Sequence, residues 1–289
     1  MTRAAIADES VLIVGTGYVG QRVLNELPGD AAFGLNRSPL NADFPATTFD
    51  LDSDAVLPVT LPNRYAVLYT VAPSDKADND SRLEKLLQFL QPAPQRFVYI
   101  STTGVYGDHA GKLVTEDTPP QPRTNRANRR LAAEALLGAW GNEHGVDIVI
   151  LRVPGIYGPG RVNVERIREG MVLIQESDAN PGNRIHVDDL ATCCIAALSH
   201  DAPAGIYNIG DGDFRSPTWF STEVARQCQL ATPPTISWAD AQKEFSEMRL
   251  SFFKESRRID TRKMREILGV IPHYVNPEDG IRASLLPKG

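Results

Sequence analysis

The stretch Ser10–Gly20 reads SVLIVGTGYVG and decides the fold of the chain. An apolar run, Val11–Val14, leads directly into three glycines spaced GxGxxG. In a dinucleotide fold the first glycine allows a tight turn, the second lets the backbone approach a pyrophosphate, and the third lets helix and strand pack closely. The helix N-terminus then faces the phosphate charge. The stretch therefore predicts a dinucleotide-binding strand, turn and helix, although an ordinary turn is the alternative. The candidate cofactor contacts are Gly15, Gly17, Tyr18, Val19 and Gly20.

The composition of the 289-residue chain is typical of a soluble globular protein. Hydrophobic residues make up 42% and charged residues 23%, and the formal net charge is -6. An acidic chain suits nucleic acid phosphates poorly, and no apolar run reaches the roughly 20 residues that span a bilayer. The three cysteines lack a metal-ligand spacing, and Cys193 and Cys194 are expected to pack as small hydrophobic residues. We therefore expect no metal site, no nucleic acid or membrane partner, and a reducing, cytoplasmic location.

The end of the second predicted strand, Ala31–Asn36, chooses between two cofactors. An acidic residue there binds the ribose 2′-hydroxyl of NAD, whereas a cation accepts the 2′-phosphate of NADP. The segment carries Arg37 and no acid, which favours NADP and leaves NAD open. The alternative is that Arg37 is only a solvated loop residue. The candidate contacts are Asn36, Arg37 and Ser38.

Two further strand ends are predicted to lie beside the cofactor. Asp50 follows apolar Phe49, where a carboxylate can meet the adenine amino group, although a lone acid can equally cap a helix. Residues Tyr65–Val71 are predicted as the fourth strand and Ser81–Leu90 as an amphipathic helix. Ligands gather at the carboxyl ends of parallel strands. The candidate contacts are Asp50, Leu51, Val71, Ala72 and Pro73.

Hydroxyl side chains crowd the end of the next predicted strand. Arg96–Gly107 reads RFVYISTTGVYG, with Phe97–Ile100 expected as a buried strand. The end of this stretch, Ser101–Gly107, is similar to the S-[ST]-x-x-V-Y-G segment of extended short-chain dehydrogenases/reductases, the group of nucleotide-sugar epimerases and dehydratases. Further segments resemble that family in the same order, namely residues 151–160, 184–191, 205–211 and 256–280.

The resemblance implies an α/β fold, a Rossmann-type doubly wound parallel sheet with a smaller C-terminal α/β substrate region. Residues 1–160 would form the NAD(P)-binding domain, to which 185–210 return, and residues 161–289 would mainly bind the substrate. Thr102 would polarise the oxygen of a polar small-molecule substrate, for which a nucleotide sugar is one candidate. The family pattern also assigns Thr103 and Tyr106 to the substrate and Pro154, Ile156 and Tyr157 to the cofactor. A homodimer is left open.

The family's catalytic Tyr-x-x-x-Lys pair is not found at its expected place. The segment Leu131–Glu134 resembles the tail after the Lys, which places Arg130 at the Lys position and Arg126 at the Tyr position. Arg130 can still bind a ribose or phosphate, but Arg126 is no ordinary proton donor, because the pKa of arginine lies above about 12. The chain therefore resembles atypical members of the family. Either another acid/base group acts, with Tyr106, Tyr157 and His109 as candidates, or the protein is a non-catalytic NADP-binding sensor or scaffold.

Polar side chains in the C-terminal half suit an anionic substrate group. The candidates are Arg161, Asn163 and Arg184. Two guanidinium groups and an amide can bind a carboxylate or a phosphate, although ion pairs between domains are the alternative. Nearby, His186 is expected to hold its segment by hydrogen bonding. Asp188 and Asp189 are expected to cap a helix over Leu190–Ser199.

Overall fold

A parallel sheet of seven strands lies at the centre of the computed structural model, which describes residues 10–29, 31–39, 45–53, 56–58, 60–75, 78–251 and 253–286. The strands, in chain order, are β1 (Ser10–Val14), β2 (Ala32–Asn36), β3 (Ala46–Thr48), β4 (Tyr65–Tyr69), β5 (Arg96–Thr102), β6 (Leu113–Val114), β7 (Asp147–Val153), β8 (Gly155–Tyr157), β9 (Leu173–Ile174), β10 (Arg184–His186), β11 (Gly205–Asn208), β12 (Thr235–Ile236) and β13 (Arg258–Ile259). The large sheet has the order β11-β7-β5-β4-β1-β2-β3, and all of its pairs are parallel. The order steps outward from β1 in both directions, so the sheet is doubly wound.

Helices cover both faces of this sheet. They are α1 (Gly20–Glu26), α2 (Ser81–Phe89), α3 (Asn125–His144), α4 (Val164–Arg168), α5 (Val187–Leu198), α6 (Pro217–Gln227), α7 (Trp238–Glu244), α8 (Glu247–Ser251), α9 (Arg262–Glu266) and α10 (Pro277–Leu285). One core cluster joins the sheet to α1, α5 and α9, and a second joins it to α2 and α3. Burial on both faces explains why β4, YAVLY, is a continuous apolar run with every residue buried. The Rossmann-type fold expected from the sequence is confirmed.

The chain beyond residue 160 builds smaller sheets and also returns to the large one. In the small sheets β8 pairs with β10, β9 with β12, and β6 with β13. Strand β11 forms an edge of the large sheet beside β7. Helix α5, which lies between β10 and β11 in the chain, packs on that sheet. Cys193 and Cys194 of α5 are fully buried, as expected of small hydrophobic residues. Among the described residues, no helix combines the length and apolar character needed to cross a bilayer.

The cap of α5 corrects one expectation from the sequence. The helix begins at Val187, and its N-cap is His186, whose Nδ1 accepts a hydrogen bond from the Asp188 N–H at 3.3 Å. The expected capping by Asp188 and Asp189 is therefore wrong, because both lie in the first turn. The Asp189 carboxylate instead accepts the backbone N–H groups of His273 and Tyr274 at 2.6 and 3.0 Å. It thus ties the C-terminal segment to α5.

Candidate active site

The glycine turn after β1 has the steric pattern that a dinucleotide requires. Gly15 has a φ of +90°, and a Cβ there would lie 2.7 Å from Thr70 Oγ1. A Cβ on Gly20 would lie 2.2 Å from the Gly15 carbonyl oxygen, so α1 packs directly on the turn. At Gly17, by contrast, no atom of the described residues other than its chain neighbours lies within 4 Å of a Cβ position. The first and third glycines are therefore needed by the fold, while the second borders open space that fits a pyrophosphate.

Side chains from two neighbouring strand ends hold this turn. Asn36 Oδ1, at the end of β2, accepts the Thr16 N–H at 2.9 Å. Thr70, just after β4, donates its hydroxyl to Gly15 O at 2.5 Å. Asn36 therefore supports the glycine turn with the side chain that was expected at the cofactor. The sequence did not indicate a role for Thr70, since a single hydroxyl after a strand carries no distinctive signal.

The residues after β2 are exposed, whereas those after β3 form a local turn with one buried side chain. Arg37 and Ser38 are exposed directly beyond the carboxyl end of β2, where the 2′-phosphate of an NADP ribose would be bound. Asp50, two residues beyond β3, accepts the Asp52 N–H at 2.9 Å in a local turn, and among the described residues no helix begins beside it. Leu51 is buried beside it. The roles of Arg37, Ser38 and Asp50 toward a cofactor stay predictions.

Tyr18 of the glycine turn lies between two guanidinium groups. The Cζ atoms of Arg22 and Arg161 lie 4.3 and 3.9 Å from its ring centroid, within cation–π distance. Its hydroxyl donates to Pro159 O at 3.0 Å, and Arg22 pairs with Asp188 at 2.7 Å. Arg161, predicted at the substrate, therefore lies against the glycine turn in this structure.

The residues predicted to replace the catalytic pair lie one turn apart on α3. Arg126 is exposed in the first turn. Arg130 is half-buried, and its Nη1 donates to Ile100 O at 2.8 Å, to Tyr99 Oη at 3.0 Å and to Val71 O at 3.3 Å. Arg130 thus lies at the carboxyl ends of β4 and β5, where the lysine position was predicted to be.

The hydroxyl-rich end of β5 exposes one residue and buries its neighbours. Thr102 is partly exposed, and its Oγ1 accepts the Gly104 N–H at 3.1 Å, which starts a 3₁₀ turn over Thr103–Tyr106. Thr103 and Tyr106 are buried, and the Tyr106 hydroxyl donates to Asn208 Oδ1 at 2.7 Å. This burial speaks against the expected substrate contact of Tyr106. Thr102 alone of this group keeps a hydroxyl at the surface of the strand end.

A buried ion pair behind Thr102 was not foreseen. The carboxylate of Glu134 on α3 accepts a hydrogen bond from Arg152 of β7 at 2.6 Å and another from the Ser101 hydroxyl at 2.5 Å. The two charged side chains are only 5% and 3% exposed. Both residues lie in segments that matched the family, but nothing in the sequence shows that they meet. The pair joins α3 to the two central strands that end at the candidate site.

Arg184 proves to be an internal residue. Its side chain is 7% exposed, pairs with Asp213 at 2.9 Å and also donates to the Arg215 carbonyl. Burial lowers the pKa of this guanidinium. The interior ion pair, which was the alternative to substrate binding, describes Arg184 in this structure.

The other candidate acid/base groups, Tyr157, Tyr106 and His109, also contact neighbouring groups of the protein. Tyr157 is buried and packs edge-on against His186 and Phe220, each at 5.2 Å. Burial raises the pKa of both Tyr157 and Tyr106, which disfavours either as an acid/base group near neutral pH. His109 Nε2 lies 3.1 Å from Tyr106 O. The neighbouring residues Pro154 and Ile156 stay partly exposed.

Two open cavities are lined mainly by residues of the C-terminal half. One of about 400 Å³ adjoins the loop after the 3₁₀ turn and is lined by Asp108, Ala110, Trp238 and their neighbours. A larger one of about 700 Å³ is lined by Asn163, Arg166, Gln227 and residues around them. The predicted substrate residues are thus divided, since Asn163 lies in the larger cavity and Thr102 at the end of β5. Within the described ranges, no group of three His, Cys, Asp or Glu side chains could hold a metal ion.

Comparison with known proteins shows a family pattern over about half of the chain. Residues 72–210 match the NAD dependent epimerase/dehydratase family. The human dTDP-D-glucose 4,6-dehydratase is 28% identical over 124 residues, which cover 40% of this chain and 35% of that protein. Across the matched dTDP-glucose dehydratases, the chain spans 35% to 52% of their length.

Solved structures show the same fold over nearly the whole chain. A functionally unknown conserved protein from Silicibacter pomeroyi has a TM-score of 0.82 at 27% identity and covers 96% of this chain and 98% of its own. MoeE5, solved in complex with UDP-glucose and NAD, has a TM-score of 0.77 at 20% identity, covers 95% and 97%, and supports the fold alone. Residues 72–210 thus carry the sequence pattern of the NAD dependent epimerase/dehydratase family, and they belong to a doubly wound sheet that the solved structures share.

Proposed function

We propose that this protein binds a nicotinamide dinucleotide, NADP in preference to NAD, and acts as an epimerase/dehydratase-type oxidoreductase on a polar small molecule. The observation that carries the proposal is the glycine turn at the carboxyl end of β1. Its first and third glycines are sterically required, and its second borders open space. A nucleotide sugar is the first substrate class to test, because MoeE5 was solved with UDP-glucose and dehydratases of dTDP-glucose are among the relatives.

The preference for NADP rests on the end of β2. Arg37 and Ser38 are exposed there, and the described segment from Ala32 to Pro39 contains no acidic side chain that would favour a free ribose hydroxyl. A guanidinium and a hydroxyl are donors suited to a phosphate.

The chain's own residues can support carbonyl chemistry at the end of β5. The Thr102 hydroxyl accepts the Gly104 N–H, so its own hydrogen is free to be donated to a substrate oxygen. Arg130 adds a fixed positive charge at the ends of β4 and β5, which would stabilise negative charge on nearby oxygens. A bound nicotinamide would supply hydride transfer.

A second function is favoured by the two arginines on α3. Arg126 and Arg130 occupy the positions predicted for the family's Tyr and Lys, and arginine does not exchange protons near neutral pH. A cofactor-binding sensor or scaffold needs the glycine turn but no acid/base residue. We propose this as the alternative function.

Two measurements test the proposal. Titration with NADPH and NADH, followed by nicotinamide fluorescence, should show tighter binding of NADPH, and Arg37→Glu should remove or reverse that order. Equal or tighter NADH binding by the unchanged protein would refute the preference. Purified protein should then oxidise NADPH with carbonyl compounds, or convert nucleotide sugars. Cofactor binding without turnover on any of them would favour the sensor.

A further inference from the structure

Two arginines from different helices hold the chain where it leaves β4. Arg130 of α3 donates to Val71 O at 3.3 Å, and Arg82 of α2 donates to Ala72 O at 2.9 Å. These consecutive carbonyls belong to the segment 71–73, which is predicted to contact the cofactor. Its backbone is therefore fixed from two helices rather than by the sheet alone.

The same segment is interlocked with the glycine turn. Thr70 donates its N–H to Val14 O at 2.9 Å and its hydroxyl to Gly15 O at 2.5 Å. The Val71 side chain lies 2.9 Å from the position of a Cβ on Gly15. A shift of residue 71 would therefore move the walls of the turn that is expected to hold the pyrophosphate.

The orientation of Arg130 depends on a buried phenol. Its Nη1 lies 3.0 Å from Tyr99 Oη, and Tyr99 in turn donates to Asp80 Oδ2 at 3.4 Å. Tyr99 is 0% and Asp80 1% exposed. Asp80 Oδ1 also accepts the Leu83 N–H at 3.2 Å, as the N-cap of α2. A carboxyl group, a phenol and a guanidinium thus form a row from the start of α2 to the ends of β4 and β5.

The row formed by Asp80, Tyr99 and Arg130 is more rigid than an arginine side chain without these partners. A long arginine side chain loses rotamer freedom when it is held in one place, and an aromatic residue has far less to lose. The Tyr99 ring stacks on Tyr69 with centroids 5.7 Å apart and planes 22° apart, so its hydroxyl has a fixed position. Buried carboxyl oxygens beside that hydroxyl favour its hydrogen pointing away from Arg130, which leaves the phenol oxygen to accept from the guanidinium.

We propose that Tyr99 and Asp80 are positioning residues for the cofactor site: they orient Arg130 so that it holds the segment 71–73 and, through Thr70, the glycine turn. The proposal rests on the proposed cofactor-binding function. Neither residue needs to touch the cofactor, since each acts through Arg130. Sequence reasoning assigned neither residue a role.

The first test compares two buried hydroxyls on stacked rings. Tyr99→Phe removes the hydroxyl that contacts Arg130. Tyr69→Phe is the matched control, because Tyr69 is equally buried and its hydroxyl has no hydrogen-bond partner among the described residues. Tyr99→Phe should weaken NADPH binding about three- to tenfold, the size expected for one ordinary hydrogen bond, and Tyr69→Phe by less than about twofold. Equal effects of the two variants would overturn the proposal.

The second test asks whether Tyr99 acts through Arg130. In an Arg130→Met background, the further change Tyr99→Phe should add no loss of NADPH affinity, whereas a merely structural role would add its full effect. Additive losses would therefore contradict a positioning role. Asp80→Asn, which keeps a capping oxygen but removes the charge, replaces Tyr99→Phe in both tests if that variant does not fold.

The last readout separates this proposal from the proposed function. Hydrogen exchange at the Thr70 amide reports how firmly the segment is held without any cofactor. Tyr99→Phe should accelerate that exchange and Tyr69→Phe should not. If the unchanged protein binds neither NADPH nor NADH, the proposed function fails, but faster exchange at Thr70 still supports the positioning of Arg130. Unchanged exchange at Thr70 in Tyr99→Phe overturns it.

Discussion

Gly17 is the single residue whose substitution best separates binding from folding. A Cβ at Gly17 meets no described atom beyond its chain neighbours, so alanine should be accommodated by the folded chain. The added methyl group would, however, occupy the space where a pyrophosphate is expected to approach the backbone. We expect Gly17→Ala to weaken NADPH binding by at least about tenfold, as measured by fluorescence titration, with a melting temperature within about 2 °C of the unchanged protein.

Gly138 supplies the matched control for this prediction. It lies within α3, and a Cβ there meets nothing outside its own helix among the described residues. Gly138→Ala should bind NADPH as the unchanged protein does. Tight NADPH binding by Gly17→Ala would show that the cofactor does not use the turn as proposed.

Residues whose roles depend on their immediate neighbours in the chain could be predicted from the sequence. Gly15 and Gly20 are needed because of atoms within a few residues or on an adjacent strand, and the GxGxxG spacing records that need. The sequence left Arg184 between a substrate contact and an ion pair, because its partner, Asp213, lies 29 residues away and only the folded chain shows that the Arg184 side chain is 7% exposed. The sequence shows an arginine in the same way whether its guanidinium faces a ligand or an ion-pair partner.

Among the elements, α3 connects the candidate site to the core through two of its side chains. Arg130 reaches the ends of β4 and β5, and Glu134, one turn later, pairs with Arg152 of β7 inside the protein. Glu134→Gln would leave the Arg152 charge buried without its counter-charge. We expect a loss of about 3 kcal/mol in the free energy of unfolding, measured by urea titration.

An exposed pair on α4 provides the comparison for that loss. Arg168 and Glu165 also form an ion pair, but their side chains are 54% and 75% exposed. Glu165→Gln should change the free energy of unfolding by less than about 0.5 kcal/mol, because water screens exposed pairs. Losses of similar size in both variants would show that the Glu134–Arg152 pair is no more important than a surface contact.

Elements were predicted best where one kind of signal dominates. Buried parallel strands such as β4 read as apolar runs, and the amphipathic pattern of α2 placed that helix to within a residue of its observed end at Phe89. The start of α5 was missed because two aspartates resemble a cap more than a histidine does. His186 takes that place because the strand β10 delivers it directly to the first turn.

At the scale of the whole molecule, the C-terminal half is fastened to the large sheet just beyond β11. Asp211 lies there, donates its N–H to Arg184 O at 2.9 Å and accepts Arg265 Nη2 at its carbonyl at 3.1 Å. The residue is 1% exposed. A titratable group at such a junction links the protonation of one side chain to the packing of both halves.

Asp211 should therefore make the stability of the molecule depend on pH. Burial raises its pKa from 3.8 to about 7, although the Asp213 N–H and Arg184 act in the opposite direction and Asp213 and Asp189 add to the rise. The folded state thus holds the proton more tightly than the unfolded state, so the free energy of unfolding falls as pH rises from about 4 through about 7.

Asp211→Asn cannot ionise, and it keeps an oxygen that can accept the Asp213 N–H, which lies 2.9 Å from Asp211 Oδ1. The variant should match the unchanged protein near pH 4 and exceed its free energy of unfolding by about 4 kcal/mol at pH 8, measured by urea titration at both values. The difference between the two curves, rather than either curve alone, isolates Asp211 from the other titratable groups of the protein. Parallel curves across this range would mean that Asp211 is ionised in the folded protein, with Arg184 compensating its burial in full.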